Sequence, residues 1–408
     1  MTTTAIQPQA LARMVAWRRH LHTHPELSGQ EYETREFLLS QLASMGIAAK
    51  TFSSHAGIVA TIDGGGPGRS IALRADMDAL PIQEANEVSY RSQRDGVMHA
   101  CGHDSHMAIL LGAALALQQS REKWAGTVRL LFQPSEEDAP RGGAPKMIAD
   151  GALTGVEAIF GLHVWPELPY GDIGITRGPL MASSDPFSLT LTGASAHAGA
   201  PHQGTDAIMM SADVLTALSR IIHRRVDPRE TATIAVGTIH GGERYNVVAK
   251  EVVLNGTVRT LNEAIRGQIP VAIRQMTEGI CAGYGGSCKL DYQWGYPSLI
   301  NSAAEAGAVI LTASRFLGPE HVRTDIKPAL GAEDFAFYTQ KIPGAFFFLG
   351  CAAKDGPLRP LHNDCFDLDE RAMYIGAQIL EETALTALSM HSDAKEGKPA
   401  NLHMPIHY

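Results

Sequence analysis

The chain has 408 residues, 45% of them apolar and 19% charged, with a formal net charge of -9. That length suits two ordinary domains, and the composition is that of a soluble globular protein rather than a disordered or fibrous one. The negative balance, with no dense lysine and arginine cluster, excludes nucleic acid as the expected partner; Arg18-Arg19 and Arg224-Arg225 read as solvated helix faces.

Residues 11–22 and 31–45 carry apolar positions at helical spacing, the second run stopped by Gly46. Residues 7–24 mix Arg, His and Gln among their apolar positions and so form no secretory signal core. Residues 57–62 and 70–75 read as strands, split by the turn Asp63-Gly64-Gly65-Gly66-Pro67-Gly68. Residues 105–119 are nearly all apolar, which predicts a buried helix, and 127–132 and 158–162 are further strands. Strands alternating with helices imply a largely parallel sheet covered on both faces. The pattern then changes to strand 186–192, helix 205–223, strands 232–239 and 251–260, helix 261–281 and strand 287–293. This β-α-β-β-α-β order is the ferredoxin-like unit. After Pro297 the earlier style returns, with helix 303–316, strand 345–350 and helix 370–390. The apolar run 345–349 is one buried strand, far too short to span a membrane. The expected fold class is α/β: a mostly parallel-sheet domain of residues 1–182 and 296–395, interrupted by an α+β domain at 183–295. Residues 396–408 read as a loosely held tail.

Four short motifs carry donors of metal-ligating type. Cys101 and His103 lie in Met98-His99-Ala100-Cys101-Gly102-His103-Asp104, where the glycine lets two ligands turn toward one point. Glu137 follows Glu136 in Gln133-Pro134-Ser135-Glu136-Glu137, His163 lies in Gly161-Leu162-His163-Val164-Trp165, and His362 in Leu361-His362-Asn363-Asp364. Each of these segments reads as a loop at a strand end. Thiolate, imidazole and carboxylate together hold zinc-like or manganese-like ions, and five ligands with a spare carboxylate suit a two-metal hydrolytic site better than a closed structural zinc. Asp76 and Asp78, after another strand, read as ligands, as acceptors behind ligand imidazoles, or as a turn acid and helix cap. The five cysteines show no repeated spacing, so no disulfide framework is expected and a reducing cytoplasm is. In the inserted stretch, His197 is a candidate oxyanion donor, and Asn246 with Arg259 can grip a carboxylate. Taken alone, Arg259 reads equally as an edge-strand charge and Asn246 as a turn residue.

Together the motifs around residues 74–81, 98–104, 133–137, 331–335 and 361–366 resemble the amidohydrolase branch of the aminoacylase and carboxypeptidase metallopeptidases. That branch holds hippurate hydrolases, N-acyl-L-amino acid amidohydrolases and hydrolases of indoleacetyl–amino acid conjugates, and the likeness runs from Arg18 to about Ile379. The resemblance implies two divalent ions (manganese, zinc, cobalt or nickel) held by Cys101, His103, Glu137, His163 and His362. It implies Glu136 as general base for a metal-activated water, with Asp78 behind a ligand. It also implies that the inserted domain is a lid and dimerisation domain of a homodimer. His197 would then reach the partner subunit's active site, with Asn246 and Arg259 facing the substrate carboxylate. Glu333 lies in a matching motif without an assigned role. More distant relatives carry His-x-Asp where this chain has Asp76-Met77-Asp78, so Asp76 is not counted as a ligand. Ala249-Lys250 replaces a Pro-Asp usual in close relatives, and His20, His22 and His24 read as helix and turn residues.

The expected reaction is cleavage of an N-acyl-L-amino acid to a carboxylic acid and a free amino acid. The alternatives are a dipeptidase or carboxypeptidase of the same clan, a non-catalytic binder of acyl amino acids, and a structural zinc protein.

Overall fold

Buried runs of Val, Ile, Leu and Phe build one eight-stranded sheet in the computed structural model, which describes residues 7–352 and 358–390. Its strands are Ala48–Thr51 (β1), Ile58–Asp63 (β2), Ser70–Asp76 (β3), Thr127–Gln133 (β4), Ala158–Pro169 (β5), Ile173–Gly174 (β6), Val322–Arg323 (β13) and Gly344–Ala352 (β14). They lie in the order β1-β2-β4-β3-β5-β14-β6-β13. The middle four, β4, β3, β5 and β14, run parallel, and β2 and β1 add an antiparallel edge.

Helices cover both faces. On one face lie Pro8–Thr23 (α1), His103–Gln119 (α3), Ala303–Leu317 (α7) and Arg371–Ser389 (α9), packed through a cluster that includes Trp17, Ile109, Val309 and Ile379. The other face buries Met147, Phe335, Tyr338 and Phe346 under Ala144–Ala149 (α4) and Ala336–Thr339 (α8). Tyr32–Ser44 (α2) packs at the β1 edge. Helix α3 is apolar on every side because the sheet, α1 and α9 all pack on it.

Residues between Asp185 and Tyr292 form a second, separate antiparallel sheet. Pro179–Met181 (β7) and Leu299–Ile300 (β12) pair where the chain leaves and returns. Between them come Asp185–Thr192 (β8), Ala207–Arg225 (α5), Ala232–Gly241 (β9), Glu251–Thr260 (β10), Glu263–Gly283 (α6) and Ser287–Tyr292 (β11), with strand order β11-β8-β10-β9. Helix α5 starts at Asp206, whose carboxylate accepts from Ile208 and Met209 N–H, and buries Met210, Val214, Leu218 and Ile221 at near-fourfold spacing. Helix α6 does the same with an Asn262 cap and Ile265, Ile269 and Ile273 inward. Each fully buried Leu or Ile contributes roughly 1.5–3 kcal/mol, so these stripes hold both helices on their sheet.

Several sequence expectations change. His103 is not in a loop; it is the first residue of α3, two residues before the predicted start. His163 is not in a loop either, because β5 runs on through it to Pro169 beside β14. The exposed edge strand β1 carries no apolar run and was not predicted. Arg18 is no solvated residue: it is fully buried, with Asp104 at 3.0 Å, Asp367 at 2.8 Å and Glu370 at 3.1 Å. Three carboxylates around one buried guanidinium compensate its lost hydration. The tail expected at 396–408 lies outside the described residues.

Candidate metal centre

The site forms where β3, β4 and β5 end or pass and α3 begins. Cys101 Sγ lies 3.3 Å from His163 Nε2 and 3.3 Å from His362 Nε2. His362 Nε2 is 3.2 Å from Glu137 Oε1. Two sets of donors, Cys101–His103–His163 and Cys101–Glu137–His362, each gather within 4.8 Å and share the Cys101 sulfur. A third, His103–Glu136–Glu137, bridges them.

Backbone shape makes this convergence possible. Gly102 has φ +88°, and a Cβ there would run into Val164 Cγ2. Ser135 and His362 hold positive φ of 59° and 60° despite their side chains. Glu31 and Ala100 hold them there: Ser135 N–H donates to Glu31 Oε1 at 2.7 Å, and His362 N–H to the Ala100 carbonyl at 2.8 Å. Asp78 organises the acidic loop, its carboxylate accepting from Glu136 N–H at 3.0 Å, Glu137 N–H at 2.9 Å and Ser28 Oγ at 2.6 Å.

The imidazoles could ligate a cation. His103 Nδ1 donates to the Asp78 carbonyl at 2.8 Å, and His163 Nδ1 to the Val164 carbonyl at 2.7 Å, which leaves each Nε2 lone pair free. Among the described residues, His103 Nε2 and Glu137 Oε1 are buried without a hydrogen bond. Orphaned buried donors and acceptors of this kind are rare, and divalent cations would satisfy them, so the residues fit a metal pair. Burial, then Glu137 and Glu136, push the Cys101 thiol well up, while burial and His106 hold His163 well below its ordinary value. His103 is raised to about 10 because Asp76 and Asp78 outweigh its burial. To hold a cation, Cys101 would serve as thiolate and His103 and His163 as neutral imidazoles.

Beside the donors, burial, then Glu333 and Glu137, raise the Glu136 carboxyl well above the usual range. Its Oε1 accepts from Asp334 N–H at 3.3 Å. Arg74, fully buried, contacts Asp76 at 2.7 Å, Glu333 at 3.0 Å and Asp334 at 2.7 Å. Asp76 is thereby occupied, with its other oxygen taking His106 Nδ1 at 2.7 Å. Glu333 sits at the cavity wall and joins this network.

A cavity of about 270 Å³ opens over these groups, lined by Cys101, Glu136, Glu137, His163 and His362 and also by Trp165, Arg259 and Tyr296. Arg259 Nη1 donates to the Leu330 carbonyl at 3.1 Å. His197 and Asn246 do not line this cavity. His197 is exposed, its Nδ1 accepting from Gly199 N–H at 3.0 Å. Asn246 lies beside it, its carbonyl accepting from Ala198 N–H at 3.1 Å, and its buried Oδ1 has no hydrogen-bond partner among the described residues. Sequence reading missed His106, whose Nε2 accepts from Val164 N–H at 2.9 Å, and Tyr296, whose hydroxyl donates to the Glu136 carbonyl. A histidine three positions after His103 on one helix face was the available signal for the first; nothing local marks the second.

The chain matches peptidase family M20/M25/M40 over residues 72–386, more than half its length. It belongs to that family. Among M20 relatives, the N-acetyl-L-cysteine deacetylase of Bacillus subtilis (strain 168) is 39% identical over 383 residues, 94% of this chain and 90% of that one. The N-acyl-L-amino acid amidohydrolase of Geobacillus stearothermophilus is 43% identical over 288 residues, 71% and 78% of the two chains. Thermostable carboxypeptidase 2 of Saccharolobus solfataricus is 37% identical over 363 residues, 88% and 91%. The crystal structure of the Bacillus subtilis YXEP protein, a dinuclear metal binding peptidase from the M20 family, superimposes with TM-score 0.83 at 36% identity, covering 94% and 99%. This M20 chain is a hydrolase acting on amides. Among the described residues no helix is long and apolar enough to cross a membrane.

Proposed function

We propose that the protein cleaves the amide of N-acyl-L-amino acids, releasing a carboxylic acid and a free amino acid. The observation that carries this reading is the cavity itself: donor sets sharing Cys101, the Glu136 carboxyl beside them, and Arg259 in the same wall. Cys101, His103, Glu137, His163 and His362 would hold two divalent ions (manganese, zinc, cobalt or nickel), which polarise a carbonyl and lower the pKa of water from about 15.7 toward about 7.

Glu136 takes a proton from the attacking water at a carboxylate oxygen and delivers it to the leaving amine nitrogen. Asp78 keeps its loop in place through two backbone N–H groups. Arg259 pairs with the substrate carboxylate and so orients the amide over Glu136. Residues 1–182 and 296–395 form the catalytic domain in this reading, and 183–295 a lid that also dimerises. His197 and Asn246, absent from their own chain's cavity, then serve the partner subunit's site, with His197 donating to the oxyanion. The enzyme works in the cytoplasm.

A carboxypeptidase reading has one specific support, the Saccharolobus relative of that name. The same Arg259 grip suits a C-terminal peptide carboxylate. Metal-reconstituted enzyme assayed on N-benzoylglycine, N-acetylmethionine, N-acetylphenylalanine and indoleacetyl–amino acids against dipeptides, read as free amino acid, decides. Faster release from N-acyl amino acids supports the proposal, and release from dipeptides alone overturns it.

A further inference from the structure

Tyr296 sits on the second crossing between the inserted unit and the main sheet, and its side chain reaches the loop of Glu136. It is 3% exposed, and its hydroxyl donates to the Glu136 carbonyl. Its own carbonyl accepts from Ser184 N–H, on the first crossing, at 2.9 Å. Gly295, just before it, is held at both polar groups: its N–H donates to Asp185 Oδ1 at 2.9 Å, and its carbonyl accepts from Arg266 Nη2 at 2.9 Å. Arg266 belongs to α6 and grips buried Asp185 at 2.9 and 2.7 Å. Two residues beyond Tyr296, Ser298 Oγ donates at 2.9 Å to the carbonyl of Thr260, the residue after Arg259. Hydrogen bonds and short covalent steps therefore connect the guanidinium over the cavity to the backbone of Glu136.

Glu136 is held on its other side by Asp78, and the preceding Ser135 keeps a left-handed backbone. Such a conformation persists only through what surrounds it, so the setting of Glu136 depends on the contacts that hold its loop.

We propose that Tyr296 is a positioning residue that transmits the setting of the inserted unit to Glu136. A carboxylate bound at Arg259 fixes that unit, and Tyr296 then aligns the base for proton transfer. The inference rests on the roles given above to Glu136 and Arg259. Binding energy used this way appears in kcat rather than in KM.

The test compares N-benzoylglycine and N-acetylmethionine with their C-terminal carboxamides, reading free benzoate or acetate from metal-reconstituted enzyme. In the wild type, kcat on the acids should exceed that on the carboxamides by at least about tenfold. Tyr296→Phe should lower kcat on the acids at least about tenfold, leave KM within about threefold, and change kcat on the carboxamides by less than about threefold. A structural role alone lowers both substrate classes equally. Equal losses, no loss, or no carboxylate effect in the wild type each overturn the proposal. If Tyr296→Phe does not fold, Ser298→Ala breaks the connection at its other end and the same comparison decides. Wild-type enzyme that cleaves neither acid overturns the proposed function itself.

Discussion

Gly102, Ser135 and His362 show how far single residues bend the backbone to bring ligands together. Gly102→Ala adds left-handed strain and a collision with Val164, so we expect a loss of about 1–3 kcal/mol in unfolding free energy and weaker metal retention. Thermal unfolding and metal content check this, and an unchanged protein would contradict it. Glu136→Gln keeps the shape and removes the proposed proton carrier. It should retain metal while kcat falls by about 10²–10⁴, and near-normal turnover would remove Glu136 from the role. At this scale the candidate site is largely legible in the sequence, because Cys101-Gly102-His103 and Glu136-Glu137 announce ligating groups within a few residues. Arg18 and Tyr296 are not legible, since their partners Asp104 and Glu136 lie 86 and 160 residues away and only folding brings them together.

Helix α1 docks on α3 through Arg18 and His22, both bonded to Asp104 one residue after His103. Burial disfavours the charged His22 ring, but hydrogen bonds to Asp104 and Glu84 outweigh it and raise the pKa from 6.5 to about 9. A raised imidazole pKa stabilises the fold fully below its unfolded value near 6.5, and the contribution is lost as pH rises through about 9. Urea unfolding should therefore show stability falling across that window, and His22→Gln should flatten the fall. An identical slope in the variant would contradict the assignment. Long elements such as α3, α5 and α9 are readable because many positions share one period. The two-residue strands β6, β12 and β13 are not, because pairing with neighbours defines them. The run of β5 through His163 is hidden for a similar reason: β14 continues the ladder past the point where the apolar run ends.

For the whole molecule, the change of pattern after residue 186 is enough to foresee a second, ferredoxin-like sheet, but spacing says nothing of where its residues sit over the site. Arg259 reaches the cavity of its own chain, whereas His197 and Asn246 do not. A shared active site predicts that inactive His197→Ala and Glu136→Gln variants recover activity when mixed into dimers, because one intact site then forms. No recovery in confirmed mixed dimers would contradict sharing. The central claim concerns the metal pair. Metal analysis with X-ray absorption on the wild type and Cys101→Ser tests it most directly. Two divalent ions per chain with sulfur in their coordination are expected, both weakened when Cys101 is replaced, with hydrolysis lost on chelation. One ion per chain, no sulfur ligand, or hydrolysis that survives chelation would contradict it.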